Sequence, residues 1–405
     1  MKILAVNKFF YKRGGSETCY FNENELFKKN NHEIIPFSMK DVRNYECSYS
    51  RYFVNNIDYE DQGLIKKVNN ALKIIYSYEA KKKVELLIKD TLPDIAHLHI
   101  FQHQMSPSII PAIKKYNIPI VNTVHDFKVI CPSYKMLSND GLCQACKGER
   151  YYKCFVNKCV KGSRIASTLN TLEAYLHSFL RSYMYIDKFL CPSLFIKNKL
   201  AEFGIPAHKA IYLPNFINAE DFTQSYIHED YFLYIGRLSS EKGLITLIKA
   251  MKHVKSSTLL IVGSGPIESS LKELTEKEEI PNIRFLGYKS GEELKKLISN
   301  CMFSVLPSEW FENAPMSILE SMAYGKATVG SNIGGIPELI DNNGTGLVFE
   351  PGNALELADK LNFMIEKQYI TTDMGKNARR KVEEKYNAGV HYERLFNIYS
   401  ELLKV

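Results

Sequence analysis

The stretch Glu312-Asn-Ala-Pro-Met-Ser-Ile-Leu-Glu320 sets two carboxylates eight positions apart, one before a helix and one inside it. Pro315 suits the first helical turn, where its missing N–H removes no intrahelical bond. Asn313 or Ala314 is expected at or near the N-cap, with Asn313 the better capping side chain. The helix is predicted over 316–324, and Gly325 stops it at C′. Free backbone N–H groups at such a start attract anions. Glu320, two turns in, can accept both hydroxyls of a diol such as a ribose. One element can therefore hold a sugar, a phosphate and a ribose, the parts of a nucleotide sugar.

On both sides of that stretch, short apolar runs alternate with helical patterns, which predicts parallel sheets covered by helices on both faces. In the first half the expected strands are 2–6, 33–37, 95–99, 118–124, 188–191 and 210–213. In the second they are 231–235, 257–262, 283–286, 302–306, 327–330 and 346–349, with amphipathic stretches at 244–254, 266–278 and 291–299. Two such series imply an α/β protein of two doubly wound halves, whose ligands bind outside the carboxyl ends of strands. The boundary is expected within 215–230, after the turn signal Leu213-Pro214-Asn215, giving domains of 1–215 and 216–385. Residues 379–405 read as a helix beyond the last strand. Two pieces fit neither half: 42–89, helical with the basic run Lys81-Lys82-Lys83, and the cysteine-rich insertion 131–159.

A chain of 405 residues is too long for one ordinary domain, and 45% hydrophobic with 24% charged residues describes a globular protein. No run reaches the about 18 apolar residues of a membrane span. The start Met-Lys-Ile-Leu-Ala-Val-Asn turns polar too soon for a signal peptide and reads as a first strand, so a cytoplasmic protein is expected. The net charge of +7 suits anionic small molecules or an anionic membrane surface. No dense Lys/Arg stripe appears, so nucleic acid is not an expected partner.

Other motifs sit where strands are expected to end. Gly14-Gly15-Ser16-Glu17 follows the first strand and a loop carrying Lys8, Lys12 and Arg13; Ser16 can cap the next helix, and the glycines admit a ligand to the backbone. A flexible turn explains the same pattern. Gly236-Arg237-Leu238-Ser239-Ser240-Glu241-Lys242-Gly243 offers a planar fork and a point charge that can converge on one diphosphate, or an exposed loop with an Arg–Glu or Lys–Glu pair. Gly263-Ser264-Gly265-Pro266 resembles a dinucleotide loop only weakly, and a tight turn beside a nucleotide explains it equally well. His125-Asp126 ends a strand: either His125 meets a sugar hydroxyl, or the two form a capping pair. His97, His99 and His103 have a spacing that permits a metal, but no acidic third ligand is near in sequence, and satisfied buried histidines are expected. Cys143, Cys146, Cys154 and Cys159 offer four thiolates for a structural Zn²⁺, with an iron–sulfur cluster, free thiols or a disulfide as alternatives. Cys19, Cys47, Cys191 and Cys301 read as small buried hydrophobes. The basic, partly amphipathic stretches 69–87 and 165–185 either pack on the first domain or lie on an anionic bilayer.

Taken together these residues resemble retaining glycosyltransferases of family 4. The most specific part is Ser308-Glu-Trp-Phe-Glu312 through Glu320, followed by Gly334-Gly335-Ile336-Pro337-Glu338, with Gly14–Glu17, Pro214-Asn215, Arg237 and Lys242 in matching order. The resemblance implies a GT-B fold: two Rossmann-like domains facing each other across a deep cleft, with the C-terminal helix, 386–405, crossing back to the first. It implies that Arg237 and Lys242 bind the donor diphosphate, and that Glu320 binds the ribose. Glu312 and the backbone of Asn313, Ala314, Pro315 and Met316 would hold the donor sugar and distal phosphate. His125 would contact the donor sugar, and Gly14 and Gly15 would line the diphosphate and acceptor side. No catalytic metal is implied. The implied donor is a UDP or GDP sugar. The implied acceptor is a glycan or a polyprenyl-diphosphate-linked glycan, as in capsule, O-antigen or exopolysaccharide synthesis, with peripheral contact at the inner membrane. A nucleotide-sugar 2-epimerase and a non-catalytic partner in polysaccharide assembly are the competing readings.

Overall fold

A computed structural model describes residues 1–56, 64–103, 105–139, 141–254 and 256–404. It divides into two units, one of Met1–Leu213 with Tyr392–Val405, the other of Pro214–His391. The first is built on parallel strands β1 (Lys2–Val6), β2 (Glu33–Phe37), β3 (Ile95–Leu98), β4 (Ile120–Thr123), β5 (Lys188–Cys191) and β6 (Ala210–Tyr212). Their spatial order is β2-β1-β3-β4-β5-β6, with Ile3 paired to both Ile34 and Ile95. The second holds β7 (Tyr231–Ile235), β8 (Thr258–Val262), β9 (Ile283–Gly287), β10 (Ser304–Leu306), β11 (Thr328–Ser331) and β12 (Gly346–Phe349), in the order β9-β8-β7-β10-β11-β12. All the strands expected from sequence form, with ends shifted by a residue or two. The inner strands are short and apolar because helices cover both faces of each sheet and bury nearly every side chain, whereas the edge strand β9 has no fully buried side chain. Each order reverses once, between β1 and β3 and between β7 and β10, and open sheets bind ligands at the carboxyl ends beside such a reversal.

The chain's last stretch is not one helix. Gln368–Lys385 ends, and Ala388–Leu403 starts afresh because the Asn387 side chain accepts a hydrogen bond from the Val390 N–H (2.9 Å) and caps it. Leu395, Ile398 and Tyr399 then enter the first unit's core against Ile3, Phe27, Ile95 and Val121. Of the region 42–89, residues 57–63 lie outside the described residues; the helices Leu64–Ile75 and Tyr78–Thr91 fill its later part. Among the described residues no helix is long and apolar enough to cross a membrane.

Leu395 is fully buried, so Leu395→Ala should cost about 2–5 kcal/mol in chemical denaturation of the whole chain. An unchanged unfolding midpoint would mean that this helix adds nothing to the core.

Candidate functional site

In the second unit the loops after β7 and β10 meet. Gly243 has φ +67°, and a Cβ there would lie 1.8 Å from the Pro307 carbonyl oxygen, so only glycine allows the approach. The adjacent Lys242 reaches across, and its Nζ lies 2.6 Å from Glu312 Oε1. Ser308 Oγ donates to the same oxygen (2.6 Å). The Lys242 ammonium also stands 5.1 Å above the Trp310 ring. The Trp310 indole N–H is buried and finds no acceptor among the described residues. Behind Glu312 the Gly334-Gly335 turn closes in: the Gly335 N–H donates to the Glu312 carbonyl (2.8 Å). Arg237, on the same loop as Lys242, is exposed.

The helix expected over 316–324 spans Met316–Ala323. Its N-cap is Pro315 (φ −67°, ψ 120°), not Asn313 or Ala314, and no side chain caps it. The displaced cap has a reason. Asn215 Nδ2 donates to the Ala314 carbonyl (3.0 Å), and Asn313 is buried, so 313–314 belong to the loop rather than the helix. Gly325 takes φ +75° after the C-cap Tyr324, as the sequence predicts. Burial alone pushes the Glu320 carboxyl up to about 7. Arg237, Lys242, Glu312, Asn313, Ala314, Pro315, Met316 and Glu320 thus all follow β7 or β10, the two strands at the order reversal.

Gly14, Gly15 and His125 belong to the first unit. Gly14 itself is the N-cap of the helix Gly15–Lys29; Ser16, expected to cap it, lies in the first turn and donates to Glu17 Oε1 (3.1 Å). Lys8 faces Asp126 and Glu17, and burial lowers the Lys8 ammonium while it raises both carboxyls. Asp126 also closes the turn, accepting from the Lys128 N–H (2.9 Å). His125 Nε2 lies 2.9 Å from His99 Nδ1, and His99 Nε2 lies 3.3 Å from Glu23 Oε2. A carboxylate beside Nε2 favours the His99 tautomer protonated there, which leaves Nδ1 to accept from His125 Nε2–H. The remaining His125 nitrogen, Nδ1, is then an acceptor. Burial pushes His125 down to about 4 against the raising effect of Glu23.

Glu23 corrects the sequence reading, which found no acid near His97 and His99. It reaches them from the helix Gly15–Lys29 and lies 3.6 Å from His97 Nδ1. Among the described residues this trio is the one group of three donors close enough for a metal. Its protons already have places: Tyr399 Oη lies 2.7 Å from His97 Nδ1, and Thr123 Oγ1 2.7 Å from His97 Nε2. His103 stands apart, 3.5 Å from Glu173.

The zinc expectation fails on geometry. Cys131, Cys143, Cys146, Cys154 and Cys159 line one narrow cavity, yet no three of their sulfurs come within 4.8 Å of one another. Zn–S bonds of about 2.3 Å would bring four sulfurs within about 4 Å of each other. All are free thiols, and burial pushes Cys146 up to about 12, so it is protonated at neutral pH. Cys19, Cys191 and Cys301 are buried as expected, while Cys47 is only half-buried. Of the groups that shape the site, sequence reasoning misses Glu23; Ser308 and Trp310 stand in the motif that carries the resemblance without a role of their own, and His99 reads only as a satisfied buried histidine. Their contacts join strands or loops far apart in the chain, apart from Ser308, four residues before Glu312.

Residues 13–221 match the family description "Glycosyltransferase Family 4", and 218–381 match "Glycosyl transferases group 1". The amylovoran biosynthesis glycosyltransferase AmsK of Erwinia amylovora is 28% identical over 250 residues, 58% of this chain and 61% of AmsK. The chain spans about half the length of the curated relatives it matches. A Rickettsia africae glycosyltransferase structure aligns with a TM-score of 0.69 at 21% identity, covering 100% of this chain and 98% of that one. Anabaena HepE, solved with UDP and glucose, aligns at 0.68 and 17% identity, covering 99% of this chain and 100% of HepE. At these identities the structures establish a shared fold, the GT-B fold of glycosyltransferases.

In an NMR titration the His125 ring should stay neutral down to about pH 4. Because the unfolded imidazole takes up its proton nearer 6.5, stability should fall as pH drops from about 6.5 towards 4. A His125 midpoint near 6.5 would contradict its burial.

Proposed function

We propose that this chain, which belongs to glycosyltransferase family 4, moves a hexosyl-type sugar from a nucleoside-diphosphate sugar to a hydroxyl of a glycan or lipid-linked acceptor. The observation that carries this reading is the Lys242–Glu312 pair at the strand-order reversal of the second sheet, with Arg237 on the same loop. Lys242 supplies a point charge and Arg237 a planar fork, and a diphosphate suits both. Glu312 is held by Lys242 and Ser308 as an oriented acceptor for sugar hydroxyls. Glu320, a half-buried carboxylate raised by its burial, suits the two hydroxyls of a ribose. The backbone of Asn313–Met316 takes the distal phosphate. In the first unit Gly14 and Gly15 leave room for the diphosphate and acceptor side, and neutral His125 offers an acceptor nitrogen to the sugar.

In this reading the anomeric configuration is retained. The diphosphate leaves as the acceptor hydroxyl approaches on the same face, and a phosphate oxygen takes the hydroxyl proton. Positive charge grows on the ring as negative charge grows on the diphosphate. Lys242 and Arg237 stabilise the second of these. UDP in the HepE structure supports a uridine donor, with GDP sugars the alternative, and the name of AmsK supports exopolysaccharide synthesis.

A panel of UDP and GDP sugars, with and without polyprenyl-diphosphate-linked glycan, should release nucleoside diphosphate with one donor and depend on acceptor. Arg237→Ala and Lys242→Ala should each cut that turnover by at least ~10²-fold, the scale of losing one oriented charge donor. Near-normal turnover in both would remove the mechanism. UDP affinity should rise with pH up to about 7, because Glu320 must lose its proton to accept both hydroxyls. Below that the slope should approach about tenfold per pH unit, and Glu320→Gln should flatten it; calorimetry showing the same slope in both proteins would refute the ribose role.

A further inference from the structure

The loop after β10 carries the chain's only tryptophan, Trp310, two residues before Glu312. Two bonds tie this loop to the segment that follows β7. The Glu309 N–H donates to the Glu241 carbonyl (2.9 Å), and Thr246 Oγ1, from the helix Leu244–Met251, donates to Glu309 Oε1 (2.5 Å). Trp310 is thereby set against the Lys242 ammonium, which stands 5.1 Å from the ring centroid. The indole N–H is buried and has no acceptor among the described residues. A buried donor left unpaired is destabilising, so the position does not draw on the N–H. What the indole offers here is its face, the strongest of the aromatic faces for a cation.

Lys242 thus has two anchors of opposite character. Glu312 is charged, and a carboxylate 2.6 Å from an ammonium cancels much of what that ammonium can offer a second anion. Trp310 carries no charge. Its ring attracts the cation through a quadrupole and leaves the positive charge available to a ligand. A lysine needs such an anchor, because its four-carbon stem is flexible and its head is a point charge without a rigid fork. The Lys242 side chain is only 20% exposed, and a desolvated ammonium gains more from a ring face than one in open water. When sugar hydroxyls engage Glu312, the ring still holds the lysine. We propose that Trp310 is a positioning residue for sugar transfer, keeping the Lys242 ammonium in place for the diphosphate without neutralising it. This rests on the glycosyl-transfer reading and adds to it a residue that acts through Lys242.

The test uses the full chain with UDP and GDP as probes and calorimetry as the readout. Because Trp310 is the only tryptophan, incorporation of mono-, di- and trifluorinated tryptophan alters this ring and no other. Fluorine withdraws electron density from the ring face and weakens its hold on a cation while nearly keeping its shape. Affinity for the better-bound nucleotide should fall step by step along the series, by about tenfold in all. Trp310→Leu should lose about as much, and Trp310→Phe should fall between. In Lys242→Ala the fluorinated series should be flat, since the ring then has no cation to hold. A packing role alone would leave affinity indifferent to fluorine in both backgrounds, or make it follow fluorine equally in both. Either result overturns the proposal, and the fluorinated proteins decide it even if Trp310→Leu fails to fold. Failure of the underlying reading looks different: the unaltered chain would bind neither nucleotide, or Lys242→Ala would bind as tightly as it does, and the proposal falls with it.

Discussion

The site in the second unit depends on the absence of one side chain. At Gly243 the backbone passes so close to the Pro307 carbonyl that any Cβ would overlap it, and the φ of +67° is one that other residues resist. That contact lays the loop after β7 on the loop after β10. Lys242 is thereby delivered to Glu312, seventy positions along the chain. The Gly334 turn, whose own Cβ would come 2.3 Å from the Glu312 carbonyl oxygen, fixes Glu312 from the far side. Two backbone approaches therefore hold a cation and a carboxylate at hydrogen-bond distance. A pair held this way needs little reorganisation when a charged ligand arrives, which is the condition for strong electrostatic stabilisation.

The first unit treats charge differently. Its carboxylate Glu23 is buried among imidazoles, and the chain of rings His99 and His125 leads from it towards the carboxyl ends of β3 and β4. In a low-dielectric interior such a network is favourable only when each proton has a place. Tyr399 and Thr123 supply the two places around His97. Tyr399 comes from the C-terminal helix, so the helix that completes the core also completes the polar network beneath the sheet's carboxyl edge. The two units thus present opposite properties: a neutral, oriented imidazole in one and a paired cation and carboxylate in the other.

The fold was largely legible because parallel strands buried on both faces are short apolar runs, and runs such as Tyr231–Ile235 and Thr258–Val262 stand out against their flanks. The loop Gly236–Gly243 and the stretch Glu312–Glu320 were legible as well, since glycines and charges after a strand carry a local meaning. What sequence could not give was the pairing between distant segments. Glu23 and His97 lie on different elements, and only the register of β1 beside β3 brings their neighbourhoods together. The cap at Pro315 was missed because Asn215, a hundred residues earlier, holds Ala314 in the loop. The cysteines misled because spacing counts ligands but not where their sulfurs point.

The stretch 165–185 shows a further limit of pattern reading. A 3.6-residue period says that a helix has two faces, not which one is buried. For most helices the apolar face is safely assigned to the core. Here Lys128 and Glu173 reverse that assignment: a buried ammonium needs acceptors, the helix supplies Glu173 and Asn170 from one side, and its apolar stripe is left on the other. Breaking the pair would strand a buried charge, so the inward polar face is fixed by electrostatics, not by hydrophobicity. The outward stripe of Ile165, Leu172 and Phe179 follows from that choice.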